Sequence, residues 1–434
     1  MAFFPSSLLR SICVKGIFGS SSNYHMLGKW STRCGASWFN QRGVCTATAK
    51  MASKAVLNQD SSPWLMLPPE FESGTTSYKF YSLADNKLQT PCPDDVIRNL
   101  RLTCRGSSHG WLALLRPHHD DFFLYNPITR RHIMLPSIMN LPRLPGADDV
   151  HPRDVSKLIL SCSPDEDEEN CLAVMINLTG FGNMLAFCCP GRSKEWTVMF
   201  DEKRFGRFYE DCVYSARLKL LFVITNDRKL ETWDLGDISS TPKLINIANW
   251  NRTRGSFSYS VAKRLKFKCR EMEYLVVAGE DLLLVTRYLM QVVGPDGQCY
   301  GTFDVRSPDY VAEDGRCNYM TFGFDIWKHD PENRKFKYLD SSSLGDLAIF
   351  VGKHSHSVAI QASEFPGVKP GSVYFTDGSY TGSLEGELFG RGGHDIGIYN
   401  YKDRTVSPCY YPCDVRSPKL ILPAPIWFFP SRTI

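Results

Sequence analysis

The sequence predicts an all-β fold closed as a single β-propeller, and three observations carry that prediction. From about Ser61 onward, helical apolar periodicity is nearly absent. Short runs rich in β-branched and aromatic residues recur between clusters of Gly, Pro, Asn and Asp, the pattern of strands joined by tight turns. Four segments, FLYNPITRRHIMLP, LETWDLGDISSTPKLINI, FDIWKHDPENRKFKYL and IGIYNYKDRTVSPCYYP, share one grammar: a hydrophobic strand, an Asn or Asp turn, and a more exposed returning strand. Such a hairpin cannot bury both faces alone, so the units must stack, and a ring of small sheets is the natural closure.

The elements follow in chain order. TSYKFYSL (Thr76–Leu83) precedes the turn Ala84–Asn86, and GWLALLR (Gly110–Arg116) and DFFLYNP (Asp121–Pro127) flank a polar tip. KLILSCS, CLAVMINL, NMLAFCC and EWTVMF cover Lys157–Phe200, and DCVYSA, LKLLFVITN and KLETWDL cover Asp211–Leu235 with a turn at Thr225–Asp227. EYLVVAG, DLLLVTRYL, TFGFDIWKHD and KFKYLD (within Glu273–Asp340) form the next group, and LAIFVG, SVAIQA, SVYFTD and DIGIYNY (within Leu347–Tyr401) the last. The body, Asp60–Ile434, has 375 residues. At roughly 40–50 residues per blade this admits about eight units, and long loops reduce the expectation to six four-stranded blades, within a range of five to seven. The Pro-rich stretch from Tyr410 is expected to pack across the ring or to complete its first blade.

Charge divides the chain in two. Residues 1–59 hold no Asp or Glu but seven Lys and Arg, so the remainder carries 43 basic against 46 acidic residues. That excludes the strongly basic body of a nucleic-acid-binding domain. Residues 1–59 are also rich in Ser and open with an apolar pattern interrupted by Arg10 and Lys15, the composition of an organellar transit peptide. We read 1–59 as a disordered leader addressed to mitochondria, with chloroplast as the alternative, and 60–434 as the propeller. Initiation at Met51 would give a cytosolic form. No run approaches the ~18 apolar residues that span a bilayer as a helix. The 15 cysteines show no regular spacing and mostly lie in apolar strands, where a thiol is a small hydrophobe. Cys409 and Cys413 are the one close pair with a loop between them, too little for a zinc site.

Motifs for catalysis are weak. Gly106–Gly110, GSSHG, matches G-x-S-x-G, but WLALLR after it reads as a strand where a nucleophile elbow needs a helix, so its glycines are read as turn glycines. Ser260–Lys263 matches S-x-x-K by a pattern short enough to arise by chance, and there is no phosphate-binding glycine loop. His118 and His119 beside Asp120 and Asp121 read as a hairpin turn, because neighbouring strand residues point to opposite faces. His354 and His356 read as a rim pair, and the acidic run Asp165–Glu169 as a solvated hairpin tip. No catalytic residue, cofactor or metal is therefore assigned. The loops near His118, Asp165, Asp309 and Arg391 are the candidate contact loops for an unidentified protein partner; no nucleic acid and no membrane span is expected.

The order of motifs adds a resemblance. PWLMLPP (Pro63–Pro69), YKFYSL (Tyr78–Leu83), CRGSSHGWLALL (Cys104–Leu115), FLYNPITRRHIMLP (Phe123–Pro136), FDIWK (Phe324–Lys328), LGDLAIFVG (Leu344–Gly352), then GSVYFTD and DIGIYN, together resemble the plant KIB-type β-propeller family. That family is best known from F-box proteins that present substrates to ubiquitin ligases. The resemblance covers nearly all of Pro63–Pro412 and implies a propeller without an inherited catalytic residue. The place of the F-box, ahead of Pro63, is taken here by the acid-free leader, so the resemblance points to an organellar branch lacking the F-box. The functional expectation is a non-enzymatic protein-interaction propeller. A cytosolic F-box-like adaptor, or an enzyme whose site lies in the central channel, are its alternatives.

Overall fold

The computed structural model describes residues 62–72, 75–90, 102–116, 121–141, 154–179, 182–199, 207–236, 241–250, 269–291, 319–377, 393–411, 421 and 423–430. Strands are numbered in chain order. β1 (Trp64–Met66), β4 (Phe80–Ser82) and β5 (Lys87–Gln89) build blade 1, with a small hairpin of β2 (Glu70–Glu72) and β3 (Thr75–Ser77) between them. Blade 2 is β6 (Thr103–Ser108), β7 (Trp111–Leu115), β8 (Phe122–Tyr125) and β9 (His132–Met134). Blade 3 is β10 (Val155–Leu160), β11 (Ala173–Thr179), β12 (Gly182–Cys188) and β13 (Thr197–Val198); blade 4 is β14 (Tyr209–Ser215), β15 (Leu220–Thr225), β16 (Lys229–Asp234) and β17 (Lys243–Asn249). Blade 5 is β18 (Cys269–Ala278), β19 (Asp281–Gln291), β20 (Tyr319–Asp330) and β21 (Lys335–Leu339). Blade 6 takes β22 (Leu347–Val351), β23 (Val358–Gln361), β24 (Ser372–Phe375), β25 (Gly397–Asn400) and β26 (Thr405–Ser407).

β27 (Ile426–Phe428) returns to blade 1, pairing antiparallel with β1 through Leu65 and Trp427. It lies innermost in that sheet and touches β6, so the two ends of the described chain are stitched into one blade. β6, β10, β14 and β18 are the innermost strands of their blades and contact one another around the axis.

Six hydrophobic clusters fill the six gaps between neighbouring blades. Trp64, Phe80 and Phe428 meet Leu112 and Phe123 between blades 1 and 2, and Trp111 and Leu124 meet Leu158 and Met175 between blades 2 and 3. Ile176 and Phe187 pack on Cys212 and Trp233, Phe222 and Trp250 on Leu284 and Trp327, and Val285 and Phe324 on Val373 and Tyr399. Leu65 and Trp427 against Phe350 and Tyr374 close the last gap. No sheet is self-sufficient; each buries both faces only by stacking, which makes the ring the unit of stability.

Blade 6 departs from the others in a way that period-2 reading does not anticipate. β22 pairs antiparallel with β23 and parallel with β24, while β23 runs parallel to β18. β22 therefore points opposite to the innermost strands of the other blades, and the chain must come back along the axis to continue. Residues 352–357 make that return.

Candidate functional site

The returning segment runs along the axis and bonds to innermost strands on the way. Ser355 forms a parallel bridge with Ser107 of β6, with Ser107 N–H donating to the His354 carbonyl (2.8 Å) and His356 N–H to the Ser107 carbonyl (2.8 Å). Trp427 N–H of β27 donates to Ser355 Oγ (3.1 Å), so blades 1, 2 and 6 share this strap. Gly352 and Gly106 permit it. A Cβ on Gly352 would meet Thr376 Oγ1, and one on Gly106 would collide with the Leu158 carbonyl where β6 presses on β10.

GSSHG thereby acquires a structural meaning. His109 and Gly110 both have positive φ (50° and 77°), the two central residues of a type I′ hairpin turn leading from β6 into β7; Gly110 is the turn glycine the sequence predicts, whereas Gly106, read the same way, lies within β6. Ser108 Oγ lies 3.1 Å from His356 Nδ1 and accepts from Leu160 N–H (3.1 Å), which ties the strap to blades 2 and 3. The His109 and His356 rings stand 5.3 Å apart. Burial lowers the His109 pKa to about 4 and carries His354 and His356 well below the usual imidazole value, with Lys157 adding to the depression at both and Lys353 and Arg105 at His354. These imidazoles are neutral at pH 7. His354 and His356, read from sequence as a rim pair, are thus axial residues.

Beside the strap, one mouth of the axis keeps a cavity of about 200 Å³ lined by Lys157, Asn183, Asp211, Glu273, Tyr274 and Lys353, among others. Lys157 Nζ donates to Asp211 at its base, both side chains being almost fully buried, and Asp211 Oδ2 also accepts from Leu275 N–H (2.8 Å). Burial pushes the Asp211 pKa up while Lys157 pulls it down. Arg287, with no exposed surface, donates to Thr321 Oγ1 (2.7 Å), the Thr376 carbonyl (2.6 Å) and Asp395 (2.8 Å), and lies over the Phe375 ring, fastening blade 5 to blade 6. Sequence reading missed both ion pairs. The available signal was a charge inside an apolar run, Lys157 ahead of LIL and Arg287 within LLLVTRYLM.

The rim carries the repeated turn grammar. In NPITRR, DPENRK and NYKDRT the first side chain accepts two backbone N–H bonds: Asn126 from Ile128 and Thr129, Asp330 from Glu332 and Asn333, Asn400 from Lys402 and Asp403. The fifth residue, Arg130, Arg334 or Arg404, takes a positive φ (61°, 50°, 55°). Asp165 sits in the β10–β11 turn, where it accepts from Asn126 Nδ2 (2.9 Å) and Arg131 Nη1 (2.6 Å), and Glu168 accepts from Arg131 Nη2 (2.9 Å). Asp165 therefore clips blade 3 to blade 2. His118, Asp309, Arg391 and Cys413 lie outside the described residues, as do Ser260–Lys263. Among the described residues no three His, Cys, Asp or Glu side chains converge as a metal site, and no helix is long and apolar enough to cross a membrane. Burial pushes the Cys104 and Cys212 thiols up to about 12, so both are protonated and unreactive at neutral pH.

The family comparison agrees with this architecture. The KIB1-4 β-propeller family profile matches residues 80–400. This chain belongs to the KIB1-4 β-propeller family. Among its curated relatives are two F-box/kelch-repeat proteins of Arabidopsis thaliana, one 24% identical over 195 residues (44% of this chain, 47% of the relative) and one 25% identical over 209 residues (46% and 53%). The chain thus spans about half the length of the curated relatives it matches. Of solved structures, TolB from Acinetobacter baumannii aligns with 84% of this chain and 66% of its own at 10% identity and a TM-score of 0.37. Apo AztD from Citrobacter koseri aligns with 52% and 69% at 13% identity and a TM-score of 0.27. Likenesses of that size bear on neither partner nor chemistry.

Proposed function

We propose that this KIB1-4 propeller is a protein-interaction module that carries out no reaction itself, and that residues 1–59 address it to mitochondria. The observation that carries the first part is the strap along the axis. The 352–357 strap takes up part of the channel in which propeller enzymes gather their catalytic groups and leaves beside it a cavity of about 200 Å³, small for a substrate site, so the loops and the clefts between blades are the larger surfaces for recognition. The acid-free, Arg-containing composition of residues 1–59 supports the second part. Affinity capture of the tagged full chain from isolated mitochondria, against a tagged unrelated matrix protein, is expected to recover a specific protein partner, and recovery of none overturns the interaction role. Residues 1–59 fused to a fluorescent protein are expected to label mitochondria; diffuse cytosolic signal overturns the address.

A second reading is favoured by the names of the curated relatives, F-box/kelch-repeat proteins: substrate recognition for a ubiquitin ligase in the cytosol. Direct binding of the purified chain to the ligase adaptor subunit would select it over the organellar role.

A further inference from the structure

Cys104, Cys171, Cys188, Cys189 and Cys212 are buried, whereas Cys162 keeps part of its surface in water. Its position in the β10–β11 hairpin gives it a partner. Leu160 stands opposite Ala173, and Ser161 N–H donates to the Leu172 carbonyl (2.8 Å), so one further step of the same register sets Cys162 opposite Cys171. Ser161 and Leu172 hold a hydrogen-bonded position of the ladder. Cys162 and Cys171 therefore hold the alternate position, where opposed Cα atoms come within about 4.5 Å and the side chains are closest. Both pack on the cluster between blades 2 and 3 that holds Leu160 and Ala173, which puts them on one face. A disulfide needs Cα atoms about 4.4–6.8 Å apart, and this backbone supplies that spacing without moving.

The two sulfurs are unlike. Cys171 is wholly buried, and its Sγ donates to the Cys162 carbonyl (3.3 Å). Cys162 Sγ accepts from Ser161 Oγ (3.8 Å) and lies 3.7 Å from the Asp167 carbonyl at the mouth of the turn. Hydrogen bonding from the Cys171 thiol lowers the Cys162 pKa, outweighing burial and the nearby Asp167 and Glu166, while the Cys171 pKa is raised. An accessible thiolate beside a shielded thiol is the arrangement in which the first sulfur reacts and the second resolves. Cys188, opposite Ala173 on β12, shares the cluster but meets Cys171 only diagonally, about 7–8 Å away, beyond disulfide reach.

We propose that Cys162 and Cys171 form a redox modification site, closed to a disulfide by oxidants of the peroxide class, with Cys162 as the attacking sulfur and Cys171 as the resolving one. The Cys162 thiolate attacks one peroxide oxygen and the O–O bond breaks, leaving a sulfenic acid and a hydroxide that takes up a proton to become water. Cys171 gives up its proton and its sulfur attacks that of Cys162; the S–S bond forms as the S–O bond breaks, and a second water leaves. The pair loses two electrons and the peroxide gains them. The bridge spans the base of the turn that carries Asp165 and Glu168, so oxidation ties down the tip that clips blade 3 to blade 2. The site depends on neither the partner nor the address proposed above.

In the test, the purified full chain is reduced, freed of reductant and exposed to increasing hydrogen peroxide. Remaining thiols are capped with N-ethylmaleimide under denaturing conditions, and a glutamyl endopeptidase then cuts the tip at Glu166, Glu168 and Glu169. Mass mapping is expected to show a Cys162 fragment linked to a Cys171 fragment, both without caps, at doses that leave Cys104 and Cys212 fully capped, and dithiothreitol is expected to separate the two. In the Cys171→Ser chain Cys162 is expected to stop at a sulfenic acid trapped by dimedone, and in the Cys162→Ser chain Cys171 is expected to stay a thiol at the same dose. Should either variant misfold, the map of the unsubstituted chain decides alone. The proposal is overturned if no Cys162–Cys171 link forms, if Cys162 links first to Cys188 or another thiol, if Cys104 and Cys212 are oxidised at the same dose, or if Cys171 is oxidised as readily without Cys162.

Discussion

At the scale of single residues, burial decides what a charge is worth. Lys157 and Asp211 are paired out of water beside the axis, and removing one partner strands the other in a medium that solvates it poorly. Lys157→Met is expected to cost about 3–5 kcal/mol, and the double variant Lys157→Met/Asp211→Leu to recover most of that loss, measured as unfolding midpoints in urea. A simply additive pair of losses would show that the two side chains do not act as a unit. By contrast, Arg131 clips Asp165 and Glu168 from a side chain 43% exposed, where solvent screening holds such pairs below about 1 kcal/mol. Residue identity made the turns legible: Asn126, Asp330 and Asn400, which open three of the rim turns, each announce two backbone hydrogen bonds. It did not reveal the Lys157–Asp211 pair, because the two lie on different blades, 54 positions apart.

Elements were legible as strands but not as directions. LAIFVG and SVAIQA read correctly as two extended runs with a turn between them. Alternation, however, says which face a side chain takes and is silent on whether the neighbouring strand runs with or against it. The reversal of β22 and the axial strap both follow from that unread direction. β27 shows the opposite case, since its three residues, Ile426–Phe428, are a weak local signal that tertiary pairing promotes to the closing strand of the ring. Trp427 is wholly buried, with its ring edge-on to Phe350 (5.1 Å) and Tyr374 (5.8 Å). Trp427→Ala is expected to cost about 3–5 kcal/mol by leaving a cavity between blades 6 and 1, whereas Met134→Ala, at an exposed rim position, should change stability by less than about 0.5 kcal/mol. Thermal unfolding of the two variants side by side checks the contrast.

For the whole ring, acid is the informative stress. His109, His354 and His356 are held neutral where the strap meets β6, with their folded pKa values depressed below the unfolded value near 6.5. The unfolded chain therefore binds more protons in this range, and stability present above pH 6.5 is lost as pH falls toward 4. For His109 the drop from 6.5 to about 4 corresponds to an upper limit of roughly 3 kcal/mol, reduced by its partial exposure. Urea midpoints are expected to fall steadily between pH 7 and 4.5, and the double variant His109→Asn/His356→Asn to flatten that slope. An unchanged slope would remove the strap imidazoles as its cause.

Composition and local pattern were enough to determine that the chain is all-β, that its units repeat, and that its excess positive charge resides in residues 1–59. Strand propensity, turn chemistry and charge are properties of residues and their near neighbours, and these survive in a linear reading. The stretch from Tyr410 reads as completing the first blade or packing across the ring, and only tertiary pairing decides for the first; which strand runs backward and what lies along the axis were decided by the folded chain alone. Those features arise from contacts such as Ser107 with Ser355 and Leu65 with Trp427, which join segments hundreds of residues apart and leave no periodic trace in either.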